Sequence, residues 1–393
     1  MVKKIEISGA ENKLLLDTVL TKKIDNINLN KKTKRNVDNA GRQVSKVIKS
    51  QVVEPLDSTS VASNLTPKSS APRSSRPDNK IIKVPLEKEM VTIETETTPP
   101  PLLGSLDSDI RIFQIYFESW QKELLDPNFA SIDNSGSNSE LLEFDVFLRL
   151  FSSDYIKGAK LWGALSWRFS EKTGLTGPQL LSVINENPGF DVYFCNPTPD
   201  NEALYHNMWL QGEASHPQFL EVVRAVFIAC ELPLDTLVSI EAVENSSVSN
   251  FFVGTSEFWQ SYLSWVQNIL TTANKKMPSE IRDVMHSTMA DNRGLHGGAS
   301  YVPFIVERLF PLFMKLHADH LKGFKVQVLE REKELDVHLK LLREMKVLSY
   351  NSKSLWLAAC WVNYRNLYLT QVKGREWCQK YLGSITPQAI KFD

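Results

Sequence analysis

The sequence predicts an α/β fold: a mostly parallel sheet flanked by helices, preceded by a disordered arm and followed by a helical extension. Three observations predict it. Short apolar runs rich in aromatic and branched residues alternate with helix-length segments between residues 109 and 330, the spacing of strand–helix–strand units. Residues 1–108 contain no aromatic side chain and no sustained apolar period, so that arm cannot bury enough surface to fold alone. Residues 331–393 carry charged and aromatic stripes at helical spacing.

The bulk numbers exclude several classes. With 393 residues, 42% of them hydrophobic and 10% aromatic, the chain can build a sizeable core. A formal net charge of -1 gives no global attraction to nucleic acid. Four cysteines, Cys195, Cys230, Cys360 and Cys378, show no CxxC spacing, and the expected state is buried free thiol in a reducing compartment. No run of eighteen apolar residues and no apolar signal core occur, so the expectation is a cytoplasmic protein.

Each element has its own signal. Residues 1–50 hold 12 Lys/Arg against 5 Asp/Glu, followed by a Ser/Thr/Pro stretch. This basic arm reads as a solvated tail; its sharper reading is a contact with anionic lipid at the inner face of the membrane. A short apolar patch, LLLDTVL at 14–20, is a candidate partner helix. RIFQIYF at 111–117 is the first strand, and an Asn/Asp/Ser-rich loop follows it. Ser139 is the expected cap of a helix through EFDVFLRLF, and 161–169 reads as the second strand. Thr176, Gly177 and Pro178 open a helix that closes near Asn187, Pro188 and Gly189. FDVYFCN at 190–196 is the third strand, and helix then runs from 201 to 232 with a break at His216 and Pro217. A strand at 250–255 feeds an aromatic-rich helix. After it come a helix bearing Glu307 and Arg308 as an ion pair on an apolar face, a last strand at 323–330 and an amphipathic helix at 331–345. Trp356, Trp361, Tyr364 and Tyr368 then mark a helical tail whose aromatic stripe is a core or docking face, with a homodimer contact as its candidate use.

Ligands of such sheets sit outside the carboxyl ends of the strands. Those ends are expected at 117–121, 168–173, 195–200 and 253–256. Nucleophilic catalysis has little support, since Ser166 lacks a glycine-flanked elbow. His317 and His320 have no third metal ligand near them in sequence, and His206 and His216 read as structural. Asp200 and Glu202, just after the third strand, are better situated, although carboxylates there also serve as ordinary helix-start residues.

Five strings occur in order: Gly163 with Trp167 and Arg168; Asp191, Val192 and Tyr193; Tyr205 with His206; Asn250, Phe251 and Phe252 before Phe258, Trp259 and Tyr262; and Glu307, Arg308 and Leu309. On these, 109–330 resembles a bacterial glycosyltransferase domain of the GT-A type. More narrowly it resembles the capsular and exopolysaccharide group, a domain of unknown function in which galactopyranosyltransferase-like activities are inferred. The resemblance implies a nucleotide-sugar donor and a polysaccharide or lipid-linked glycan acceptor, and often Mn or Mg on the diphosphate. It implies that Arg168 and Lys172 contact phosphate, that Asn250 approaches the donor sugar or the acceptor, and that Glu307 is a base or sugar-hydroxyl ligand. His296 would sit near the pocket on a glycine-rich flap, 291–298. Two features depart from that group: Ser166, Trp167 and Arg168 stand where it has His-Tyr-Arg, and the Asp-x-Asp-like strings at 107–109 and 143–145 lie outside strand ends. A non-catalytic interaction module on the same fold is therefore the competing expectation. A nucleic-acid binder is the weakest, because the basic arm lacks aromatics.

Overall fold

A computed structural model describes the backbone of Leu102–Leu103 and residues 108–288, 298–317 and 319–393, within one compact unit, Pro85–Asp393. The basic arm, its 14–20 patch and His296 lie outside the described residues.

One sheet organises the unit. Its spatial order is β1 (Leu102–Leu103), β3 (Ala130–Asp133), β2 (Ile110–Tyr116), β4 (Leu161–Ser166), β6 (Phe252–Gly254), β5 (Val192–Phe194) and β7 (Gly323–Lys325). Strands β2, β3, β4, β5 and β7 share one direction, and β1 and β6 run against them. The helices are α1 (Glu143–Phe151), α2 (Phe169–Thr173), α3 (Gly177–Glu186), α4 (Pro199–Leu204), α5 (Met208–Ser215) and α6 (Phe219–Ala229). They continue as α7 (Ser256–Lys276), α8 (Ser279–His286), α9 (Val302–Leu316), α10 (Leu329–Lys333), α11 (Val337–Ser352), α12 (Leu355–Lys373) and α13 (Arg375–Tyr381). No helix among the described residues is long and apolar enough to cross a membrane.

Aromatic packing fixes one face of the sheet. Trp162 of β4 stacks on Trp259 of α7 with ring centroids 4.3 Å apart, and the Trp259 indole donates to the Trp162 carbonyl. Truncating a fully buried ring of that kind costs about 3–5 kcal/mol. On the opposite face Phe169, Leu180, Ile184 and Phe251 form a smaller cluster under α2 and α3. The capping box of Thr176 and Gln179 starts α3 where Pro178 permits it. Close approach of β4 to β6 depends on Gly163, since a Cβ there would lie 2.0 Å from the Phe252 carbonyl oxygen.

The residues after 331 join the body through a third cluster. Leu342, Ala358, Trp361 and Leu369 pack on Ala203, Leu204 and Tyr205 at the end of α4. The Trp361 indole donates to the Ala203 carbonyl, and the Lys346 ammonium to the carbonyls of Glu202 and Tyr205.

Several expectations need correction. The loop after β2 contains β3, whose four residues point only Ala130 and Ile132 inward, too few to show a period. Leu142, at φ 50°, precedes α1 in place of Ser139, whose hydroxyl instead accepts from Leu141 N–H in a local turn. The second strand stops at Ser166, and Phe169 already belongs to α2. Helix over 201–232 is broken twice, at 205–207 as well as 216–218, because Asn207 caps a fresh helix at Met208. The last strand ends at Lys325. The charged helix begins only at Val337, where Asp336 caps it, and it extends to Ser352. Of the four free thiols only Cys195 is fully buried, and Cys360 is exposed on α12.

Candidate functional site

Strand direction decides where a site forms. Because β6 is antiparallel to β4, with Trp162 opposite Gly254, stepping four residues forward on β4 and four back on β6 sets Ser166 opposite Asn250. The beginning of β6, not its end, therefore reaches the edge where β2 and β4 finish. That overturns the expectation for 253–256, which lies at the other edge. It also brings Ser249, Asn250 and Phe251 beside Ser166, Trp167 and Arg168.

These residues line one hollow with Phe117, Glu143, Lys172 and Glu307. The end of β2 supplies Phe117, and Glu143 is the first residue of α1. Arg168 precedes α2 and Lys172 sits within it, so both cations stand on the first turns after β4. Glu307 descends from the middle of α9, whose buried face carries Ile305, Val306, Leu309 and Phe310. Pro311, four residues on, has no N–H to give the Glu307 carbonyl, which loosens α9 at this point.

The charges are unevenly satisfied. Arg168 Nε and Nη2 grip the Glu171 carboxylate at 2.8 and 2.5 Å, the two-pronged geometry that also suits phosphate. Lys172 Nζ lies 5.9 Å from the Phe251 ring centroid and has no ion pair within 4.0 Å among the described residues. Glu307 is poorly paired: Arg308 Nη1 is 3.9 Å from its carboxylate, and that guanidinium is buried elsewhere. Arg308 donates to the carbonyls of Met208 and Phe304 and to Gln211 Oε1. Burial pushes the Glu307 carboxyl up to about 7; Arg308 pulls it down, Glu143 pushes it up, and Lys172 lowers it again. The expected ion pair is thus a weak contact. Asn250 Oδ1 is buried and has no hydrogen-bond partner among the described residues, an unmet acceptor at the wall of the hollow.

One supporting residue escaped the sequence reading. Gln114, fully buried in the middle of β2, donates to the carbonyls of Ser166 and Trp167 and accepts from Asp126 N–H. It clamps the end of β4 just before Arg168. A glutamine flanked by Phe113 and Ile115 in an apolar strand was the signal.

Other expected residues fall elsewhere. Asp200 sits in the first turn of α4 and does not line the hollow. Its neighbour Glu202 is fully buried and held by Lys325 Nζ at 2.6 Å, Asn196 Nδ2 at 2.8 Å and Arg343 Nε at 3.1 Å. That carboxylate is structural. His317 and His320 face each other at 3.3 Å, and no cluster of three metal-binding side chains occurs among the described residues. The hollow encloses about 30 Å³, room for about one water, so in this conformation it is far smaller than the expected sugar site. A larger open trough of about 590 Å³ runs beside α11, but Arg343 on its wall is already engaged by Glu202 and Glu332.

No protein-family model matches the chain, and neither a curated protein nor a solved structure does.

Proposed function

We propose that the chain is a glycosyltransferase that moves a sugar from a nucleotide-sugar donor to a surface polysaccharide or lipid-linked glycan acceptor, on a GT-A-like fold. One observation carries the reading: Arg168 with Lys172, Asn250 and Glu307, from three distant stretches of the sequence, line a single hollow at the strand ends. Each has a task there. Arg168 and Lys172 offset the charge that develops on a departing diphosphate. The Asn250 Oδ1 acceptor receives a sugar hydroxyl. Glu307, with its carboxyl near 7, takes the proton of the acceptor hydroxyl as that oxygen attacks the anomeric carbon. Glu143 is the other carboxylate of the hollow, and it would hold Mn or Mg if one sits on the diphosphate, leaving Glu307 free as the base.

A donor needs more room than the hollow offers. The Arg168–Glu171 pair is the movable wall, since both side chains reach solvent. The small volume also favours a second reading, a non-catalytic interaction module on the same fold. A thermal-shift screen of nucleotides and nucleotide sugars, with and without manganese, separates the two. Stabilisation by one diphosphonucleotide, lost in Arg168→Ala, together with donor turnover abolished in Glu307→Gln, supports the transferase. No stabilisation by any donor refutes it.

A further inference from the structure

Helix α12 exposes large apolar side chains on a face that meets no other element among the described residues. At about 100° per residue, Trp356, Cys360, Asn363, Leu367, Thr370 and Gln371 share one face, and all six are exposed. Trp356 is 86% exposed, and Leu355 and Leu357 flank it, exposed too. The opposite face, through Ala358, Trp361, Arg365 and Leu369, is the one that packs on the body. The outward face carries no charge along its length. Cations stand at its ends: Lys353 before the helix, Lys373 in its last turn and Arg375 just beyond. Glu376 is the one acidic residue between 353 and 382.

We propose that this face of α12 lies on an anionic lipid bilayer. Exposed tryptophan and leucine enter the headgroup boundary, and Lys373 and Arg375 meet lipid phosphates, while the Lys353 ammonium stays over the Tyr350 ring at 3.4 Å and points to the Asp393 carbonyl. Charge chooses this occupant over a second copy of the chain. A two-fold antiparallel pairing of α12 would set Lys353 against Lys373 and Arg375, like charge against like. At 19 residues, and packed along its inner face, α12 lies on the surface and does not cross it. The assignment is independent of the chemistry proposed for the hollow.

Co-sedimentation of the full chain with phosphatidylcholine vesicles, with and without phosphatidylglycerol, tests it. The basic arm stays in every variant, so differences report α12 alone. Trp356→Glu with Leu367→Glu should weaken partitioning onto anionic vesicles by roughly tenfold, because each substitution replaces apolar contact with a charge that anionic lipid repels. Its melting temperature should be unchanged, since both side chains are exposed. Lys373→Glu with Arg375→Glu should weaken binding and flatten its salt dependence. Unchanged sedimentation of the Trp356/Leu367 variant overturns the proposal. A wild-type dimer in sedimentation velocity that this variant splits overturns it as well, and assigns the face to self-association.

Discussion

Glu202 and Glu307 are both carboxylates withdrawn from bulk water, and their surroundings could hardly differ more. Glu202 meets a lysine, an arginine and an asparagine within 3.1 Å, and it is fully buried. Glu307 has one cation at 3.9 Å that is spent on other partners, and it faces a hollow. A buried charge with complete partners is a fastener between elements, here tying β7 and α11 to α4. A buried charge left short of partners keeps its free energy available for a ligand or a proton. The same contrast holds for amides, since the Asn196 amide donates and accepts while Asn250 keeps an oxygen with no partner among the described residues.

The largest effect that would break this contrast is at Glu202. Glu202→Gln should destabilise the fold by about 3–5 kcal/mol in urea unfolding, because Lys325 is left without its carboxylate. A loss under 1 kcal/mol would mean that the fastener reading is wrong. Gly163→Ala comes next: with backbone oxygen 2.0 Å from the new Cβ, β4 and β6 must part. A cost of about 3 kcal/mol is expected, by analogy with severe overpacking, and ligand binding at the hollow should vanish with it.

Glu307→Gln should act in the opposite sense on stability. The Glu307 carboxyl is raised in the folded state, so the folded chain holds its proton more tightly than the unfolded chain. That contribution is complete below the ordinary glutamate value and is lost as pH rises through about 7. Wild type should therefore lose up to about 3 kcal/mol relative to Glu307→Gln between pH 4.5 and 7, less where solvent screens the quarter-exposed side chain. Parallel pH–stability curves for the two proteins would show that burial does not raise the Glu307 carboxyl. Transferase turnover, if Glu307 is the base, should rise through the same range as the carboxylate forms.

The smallest effect sharpens the amide comparison. Asn250→Ala deletes an acceptor that has no partner among the described residues, so stability should change by less than about 1 kcal/mol, in either direction. Any ligand affinity of the hollow should drop. Loss of more than about 2 kcal/mol would show that Asn250 is a structural residue like Asn196.

Much of the fold was legible because its signals are local. The apolar run of β2, the capping box of α3, the capped aromatic helix α7 and the helical stripes of α11 and α12 each declare themselves within a few residues. β3 was hidden by its length, and the second break near Asn207 by the apolar residues on both sides of it. The family resemblance marked Arg168, Lys172, Asn250 and Glu307 as candidates, and residue chemistry added a reason for Glu307 alone, a carboxylate among apolar neighbours. Their meeting could not be read that way. It rests on β6 running against β4, and strand direction is a long-range choice made by the whole sheet. The tertiary structure likewise set Asp200 aside, turned Arg308 away from Glu307, recruited Gln114 as a clamp and reduced the hollow to the size of a water. The sequence by itself determined which side chains are costly to bury; only the packed fold decided which of them are compensated and which are left facing space, because compensation depends on partners brought from distant parts of the chain.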